Sequence, residues 1–316
     1  MFYSQKNRMK AVVCTKYGTP EVLQLKEIEK PKPKDNEVLI KVYATTAHIG
    51  DTRIRRAYPF LVRLVFGLFK PKKNLILGME ISGEIESVGQ NVNSFKKGDK
   101  VFALTGFDLG GYAEYKCLPE KSKESTIEKR GLVALKPENL SYNEAAAIPA
   151  GGITTLKNLQ KANIRKGQKI LINGASGSLG TFAIQLAKHY GAEVTAVCSA
   201  ENFELATSIG ADKVIDYRTE DFTKSNEKYD IIYDAVMKSN RANCKNILKK
   251  NGIFLNNSHL SKIQENDLLL LKSLIENNKL KPIVDKTYSI NEIVEAHRYV
   301  DKGHKKGNVI ITICEE

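Results

Sequence analysis

Cysteine is scarce in this chain: Cys14, Cys117, Cys198, Cys244 and Cys314 are scattered over 316 residues with no close pair. That spacing argues against a disulfide framework and against a zinc site of four closely spaced thiolates, and it fits a reducing compartment. Long apolar runs are missing too. The longest candidate, residues 60–69, is broken by Arg63 and falls short of the roughly 20 residues that a membrane-crossing helix needs. The first ten residues are polar and lack the apolar core and small-residue cleavage site of a secretory signal, so a cytoplasmic location is expected. No internal repeat is visible. With 42% hydrophobic residues, the chain is too apolar for disorder and long enough for two domains.

What the chain has in excess is positive charge, a formal +13. A basic patch for nucleic acid or for an anionic membrane is one reading. The cations are mostly Lys and occur in every segment, which favours the other, a solvated surface. Nucleic acid is not expected as a partner.

The first third reads as all-β. Runs at 11–14, 38–43, 81–88 and 100–103 are rich in β-branched residues and separated by turn clusters at 31–36 and 96–99, which suggests a small barrel or sandwich. The pattern changes near Gly131. Ser141 followed by Glu144 predicts a helix start, and from Lys169 short apolar strands alternate with amphipathic helices: strands at 170–172, 194–198, 213–216, 230–234 and 253–256, with a helix around 240–250 before the last. Such alternation predicts a parallel sheet covered on both faces. A Leu-rich helix at 267–277 follows, then strands at 282–285 and 308–313 around a helix at 291–300, as if the chain returned to its first domain. The expected boundaries are residues 1–134 for the first domain, rejoined by 280–316, with 135–279 between, and a ligand cleft between the two.

The segment Gly174-Ala175-Ser176-Gly177-Ser178-Leu179-Gly180 follows a strand directly and opens a helix with apolar Leu179, Phe182, Ala183 and Leu186. Small residues there let the backbone approach a pyrophosphate, and the helix N-terminus favours its charge. The next strand ends at Ser199 instead of the acid that would hold a ribose 2′-hydroxyl, which favours NADPH over NADH, with Arg218 beside Tyr217 as the cation for a 2′-phosphate. Glu201 in the same neighbourhood weighs the other way, so NADH remains possible.

These residues, with the blocks 78–89, 98–102, 110–115 and 145–149, resemble the medium-chain dehydrogenase/reductase superfamily, and within it the zinc-independent quinone oxidoreductase branch. The resemblance runs from Met9 to the C-terminus. It implies an α/β fold in which a Rossmann doubly wound parallel sheet is inserted into a GroES-like β-barrel domain, and hydride transfer from a bound nicotinamide. It also implies cofactor contacts at Thr155, Val236 and Asn256, and a bulkier adenosine wall where Met237 replaces a family Gly. Zinc enzymes of the superfamily have Gly-His-Glu where this chain has Gly78-Met79-Glu80. Their first ligand, a Cys, corresponds to His48, and their third falls in a stretch that here reads Ala150-Gly151-Gly152. Only His48 could serve, and three protein ligands are needed, so no zinc is expected.

Without a Lewis acid, an acceptor that spreads negative charge by conjugation is the one to expect: a small apolar quinone or an α,β-unsaturated carbonyl. An alcohol dehydrogenase, or a non-catalytic dinucleotide- or RNA-binding protein, are the alternatives. The candidate hydrogen-bond donors are Tyr58, His48 and Thr46. Tyr58 lies near the catalytic tyrosine of related enoyl reductases, one residue short of their spacing. The apolar run from Tyr58 to Lys70 has three readings: a wall for an apolar substrate, a membrane contact with basic flanks, or plain core. Only ten residues, 257–266, separate the strand at 253–256 from the Leu-rich helix, too few for a crossover and a further parallel strand. The Rossmann sheet is therefore expected to lack its last strand, and a homodimer through that edge becomes doubtful.

Overall fold

The computed structural model describes residues 7–72, 75–121, 130–258 and 262–315. The chain divides into two compact units. One comprises Met1–Ala150, Gln264–Lys272 and Val284–Glu316, the other Gly151–Ile263 and Ser273–Ile283.

The first unit opens with β1 (Arg8–Cys14), β2 (Leu23–Glu29), β3 (Glu37–Thr46), β4 (Leu75–Ile76), β5 (Glu80–Val88), β6 (Lys100–Leu104), β7 (Tyr115–Pro119) and β8 (Leu132–Leu135). Helices α1 (Ile49–Arg56) and α2 (Val62–Phe66) lie between β3 and β4, and α3 (Tyr142–Ala146) follows β8. The second unit begins inside α4 (Pro149–Lys161) and carries β9 (Lys169–Asn173), α5 (Ser178–His189), β10 (Glu193–Cys198), α6 (Phe203–Ser208), β11 (Lys213–Asp216), β12 (Tyr229–Asp234) and β13 (Leu248–Asn256). Helix α7 (Glu265–Glu276) is shared, its residues up to Lys272 belonging to the first unit and the rest to the second, and β14 (Val284–Ser289), α8 (Ile293–Asp301) and β15 (Asn308–Thr312) then complete the first unit.

In the first unit β14, β15, β3, β5, β6 and β8 neighbour one another in that order, with β7 paired to β3, while β2, β1 and β4 make a smaller sheet. The pairing of β15 with β3 is what rejoins the C-terminus to the barrel. Val12, Ile40, Val42, Ile81, Ile85, Val101 and Ile311 belong to its core. This is the GroES-like β-barrel domain. The second unit is a Rossmann-type sheet in the order β11, β10, β9, β12, β13, with every pair parallel. Its strands carry apolar residues on both faces, such as fully buried Ile170, Leu171 and Ile172, because helices cover both sides. Among the described residues β13 is an edge strand.

Two details differ from the sequence pattern. The units divide at Ala150 rather than at 134, because α3 packs onto the barrel: Tyr142, Ala146 and Ala147 pack with Ala44 and Ile310. The capping box that starts α3 is present, with the Glu144 N–H donating to Ser141 Oγ at 3.3 Å. Residues 240–247 form turns, not the helix expected there. Asn240 accepts from the Asn243 N–H at 2.9 Å, the local bonding by which Asn competes with helix, while Cys244 and Ile247 still reach the core beside Leu171 and Val197.

Candidate active site

In the barrel unit the end of β3 and the start of β5 run side by side, which places Thr46 against Glu80. Thr46 Oγ1 donates to Glu80 Oε1 at 2.5 Å, and the Ala150 N–H donates to Glu80 Oε2 at 2.7 Å. Glu80 is fully buried, and that burial pushes its carboxyl up to about 7 despite both donors. His48 caps α1: its Nδ1 accepts from the Gly50 N–H at 3.0 Å, while Asp51 Oδ2 accepts from the His48 N–H at 3.1 Å. Burial, with help from the positive Lys305 and Arg53, pushes His48 down to about 3, so the ring is neutral.

Asp51 ties the two segments together. It accepts from the Gly78 N–H at 2.8 Å and from the Tyr112 hydroxyl at 3.2 Å, and burial pushes it up to about 7. Tyr112 also lies 3.0 Å from His297 Nε2. His297 is fully buried, its Nδ1 has no partner among the described residues, and burial holds the ring at about 3. Lys305 completes the cluster. Its Nζ donates to the Gly307 carbonyl, and its charge is felt at both His48 and Glu80. Burial lowers the ammonium to about 8, against the pull of Glu80 and Asp285.

Thr46, at the end of β3, and His48, at the start of α1, are both committed, one to Glu80 and the other to its cap. Tyr58 stands apart. It follows α1 on the surface, 72% exposed, and makes no side-chain hydrogen bond among the described residues. The donor set does not fit zinc. His48 is the one imidazole at the ligand positions, and Met79 offers a thioether, its Sδ lying where a Cβ on Gly50 would have to go. Among the described residues no group of three or more His, Cys, Asp or Glu side chains converges on a metal position.

In the Rossmann unit the glycine turn joins β9 to α5. Gly174 takes φ +80°, and a Cβ on Gly180 would meet the Gly174 carbonyl at 2.2 Å. These two glycines are required by the turn and by the close packing of helix on strand. Gly177 is different: a Cβ there meets nothing closer than 3.6 Å, so the backbone stands open. No side chain caps α5, and the buried Ser178 Oγ has no partner among the described residues. An open backbone, an uncapped helix of 12 residues and an orphaned hydroxyl suit a phosphate. The turn thus fits a dinucleotide, with residues 177–180 as its cradle; Ser176 and Leu179 lie within the same segment.

At the ends of β10 and β11, Ser199, Glu201 and Arg218 form one cluster. Ser199 Oγ donates to Glu201 Oε1 at 3.1 Å, and the Arg218 guanidinium pairs with the same oxygen at 3.3 Å. Tyr217 stacks loosely, with the guanidinium 5.8 Å from its ring centre. Thr155 is buried and its hydroxyl donates to the Leu179 carbonyl at 3.2 Å, which links α4 to the glycine turn. Val236 packs over Gly174, where it would collide with a Cβ at 2.3 Å. Asn256 turns to its own backbone, accepting from the Ser258 N–H at 3.0 Å. Met237 takes φ +57° and is half-exposed, a backbone shape that a family Gly would adopt without strain.

Three groupings escaped the sequence reading. They are Glu80 with Lys305, Asp51 with Tyr112 and His297, and an amide network in the Rossmann unit. In the last, the Tyr233 hydroxyl donates to Asn257 Oδ1 at 2.7 Å, and Asn158 Nδ2 donates to that same oxygen at 3.1 Å. A signal existed for His297 alone, because Ile293, Ala296, His297 and Val300 share the apolar face of α8.

Known proteins agree with this architecture. Residues 34–127 match the Alcohol dehydrogenase GroES-like domain family, and residues 178–274 and 254–311 match Zinc-binding dehydrogenase families. The chain is 33% identical to the 2-methylene-furan-3-one reductase of Solanum lycopersicum, over 96% of this chain and 79% of that one. It is 32% identical to the chloroplastic NADPH-dependent alkenal/one oxidoreductase of Arabidopsis thaliana, with the same coverage of each chain. The solved quinone oxidoreductase of Coxiella burnetii superposes with a TM-score of 0.83 at 27% identity, covering 97% of this chain and all of that one. Barrel, Rossmann sheet and these relatives together place the chain in the medium-chain dehydrogenase/reductase superfamily, in its quinone oxidoreductase-like branch.

Proposed function

We propose that this protein is a zinc-independent, NADPH-dependent reductase of quinones or α,β-unsaturated carbonyls. The observation that carries the reading is the donor set at the barrel site, where a neutral imidazole and a thioether stand at two ligand positions and the positive charge of Lys305 acts on His48 and Glu80. The names of the relatives point to the same acceptors.

A bound nicotinamide would supply a hydride to the electron-poor carbon of the acceptor, whose conjugated electron pair moves to oxygen. Lys305 is assigned the role a metal has elsewhere: its ammonium holds that oxygen and passes it a proton, and solvent restores the ammonium. Glu80 keeps the ammonium in place by charge. Thr46 and Ala150 hold Glu80 in turn, while His48 and Asp51 fix the backbone around it, so none of the three candidate donors is the proton source. The acceptor is a small apolar quinone or enone; ordinary alcohol oxidation lacks the Lewis acid it needs.

Residues 177–180 would hold the pyrophosphate. Arg218, released from Glu201, would hold a 2′-phosphate, and Ser199 would assist; Thr155, Val236 and Asn256 line the nicotinamide side. The five-stranded sheet is read as the family's sheet without its last strand, which makes the chain a monomer or a weak dimer. A reducing cytoplasmic setting accords with the five cysteines, all of them free thiols.

Absorbance of the nicotinamide, followed in the presence of a chelator, tests the reading. NADPH oxidation is expected with a quinone or an alkenone, slower with NADH, and no NADP reduction with an alcohol. Zinc-dependent alcohol oxidation, or binding of NADPH without turnover of any acceptor, would contradict it.

A further inference from the structure

Among the described residues, the stretch from α1 to β4 concentrates both charge and apolar surface. From Thr52 to Met79 the sequence has no acidic residue and seven basic ones, Arg53, Arg55, Arg56, Arg63, Lys70, Lys72 and Lys73, so this stretch holds seven of the thirteen net charges. Arg55 and Arg56, within α1, pair with Asp301, which leaves Arg53, Arg63, Lys70 and Lys72 as the cations of the described stretch that no acid of their own segment offsets.

The same stretch shows its apolar side chains to solvent. Tyr58, Phe60, Leu61, Leu64, Val65, Leu68 and Phe69 are all exposed, Phe69 by 88% and Leu64 by 66%. The plain-core reading of this run is thus overturned for all but Phe66, which is buried, and Val62, which packs half-buried beside it. Helix α2 is apolar apart from Arg63. Val62 and Phe66 pack against the barrel core, whereas Leu64 and Val65, with Leu61 before the helix and Leu68 after Gly67, are exposed among the described residues.

The protrusion is held in this shape rather than left loose. The Tyr17 hydroxyl donates to the Gly67 carbonyl at 2.7 Å, and the Lys72 N–H donates to the Phe66 carbonyl at 2.9 Å. Gly67 takes φ +125°, and a Cβ there would strike the Lys70 carbonyl at 2.1 Å, so the turn that brings Leu68 and Phe69 outward requires glycine. The Arg63 guanidinium lies 5.2 Å from the Tyr17 ring centre and 5.8 Å from that of Phe60, at the border between the apolar tip and its base. Arg53, Arg56, Lys70 and Lys72 are exposed around it.

A fixed apolar tip whose own segment carries exposed cations and no acid matches the needs of one kind of surface. A second copy of this chain would bring the same uncompensated charge into contact with itself, and a wall for an apolar substrate would have no use for the cations. An anionic bilayer takes both, the side chains entering the acyl boundary and the Lys and Arg groups staying at the headgroups. We propose that residues 58–72 form an interfacial membrane anchor that docks the barrel unit onto bilayers containing anionic phospholipid, with Leu61, Leu64, Leu68 and Phe69 as the inserting side chains.

Flotation of the full chain with phosphatidylcholine vesicles, and with vesicles in which about a third of the lipid is phosphatidylserine, tests this. Binding is expected to the second and to fall as salt rises. The variant Leu64→Ser/Phe69→Ser should lose binding, and Lys70→Gln/Lys72→Gln should weaken it roughly thirty-fold, at about 1 kcal/mol per charge. All four side chains are exposed, so the melting transition should stay in place and show that the fold is intact. Equal binding to both vesicle types, no binding to either, or undiminished binding by Leu64→Ser/Phe69→Ser would overturn the proposal. So would self-association without lipid that the same variant abolishes, since the patch would then belong to a second copy.

Discussion

The two units bury polar groups of different kinds. The barrel interior holds ionisable ones: Asp51, Arg55, Glu80 and His297 are all fully buried. The Rossmann unit buries mostly amides and hydroxyls, Asn158, Asn173, Thr155 and Tyr233, with Asp234 the charged exception. A phosphate can be held by backbone N–H groups and a helix end, which need no ionisable side chain. The proton delivery proposed here, without a metal, would need one, and it is the barrel unit that buries such groups.

The contrast predicts unequal costs of deletion. In the barrel, Arg55 and Arg56 both pair with Asp301 Oδ2, at 2.5 and 2.7 Å, and Arg55 has no exposed surface. Asp301→Ala should cost about 3–5 kcal/mol, because it leaves a guanidinium buried and unpaired. Asn257→Ala in the Rossmann network should cost about 1–3 kcal/mol, the loss for neutral groups left unsatisfied. Chemical denaturation of both variants checks this; equal losses would break the comparison.

Within the glycine turn the account separates two residues that look alike in the sequence. Gly180→Ala should destabilise by about 1–3 kcal/mol, since its Cβ has no room beside the Gly174 carbonyl. Gly177→Ala should leave the melting transition in place and weaken NADPH binding, because only the ligand approaches there. Calorimetry and cofactor titration on the pair read the two effects independently.

The comparison extends to pH dependence. Asp51 and Glu80, raised to about 7, favour the folded state when protonated; their contribution is full below the usual carboxylate range and is lost as pH rises through about 7. His48 and His297, lowered to about 3, work in the opposite sense: their contribution is full above the usual imidazole value and is lost as pH falls toward about 3. Between about pH 4.5 and 6.5 the slopes oppose each other and stability should be nearly flat. His297→Gln removes one histidine, so its stability should rise as pH falls across that window, by up to about 1.4 kcal/mol per unit. A melting series against pH checks the sign, and an unchanged profile would count against the buried neutral histidine.

Much of the architecture was legible because its causes are local. Apolar β-branched runs such as 170–172 specify buried strands, Ser141 with Glu144 specifies a helix start, and the glycine spacing specifies the turn. Where the reading failed, the deciding contacts were distant in sequence. Tyr142 joins the barrel because Ala44 and Ile310 await it, and the Asn-rich segment 240–247 satisfies itself in turns. The apolar run at 58–69 looks the same in sequence whether it is covered or not. Tyr58 lies one residue short of the spacing in related enoyl reductases, and its surface position following α1 leaves it outside the cluster. Lys305 was invisible for the plainest reason: among 49 basic residues, nothing local marks the one whose charge acts on a buried glutamate.

The central claim, that the barrel replaces a metal by side-chain charge, is tested most directly by steady-state turnover of an alkenone by chelator-dialysed protein, comparing wild type with Lys305→Met and Lys305→Arg. The account predicts that dialysis leaves wild-type turnover intact. It predicts that Lys305→Met lowers kcat by about 10²-fold or more with little change in the KM for NADPH, and that Lys305→Arg retains part of the rate. Full activity in Lys305→Met, or wild-type activity lost on dialysis and restored by zinc, would contradict it.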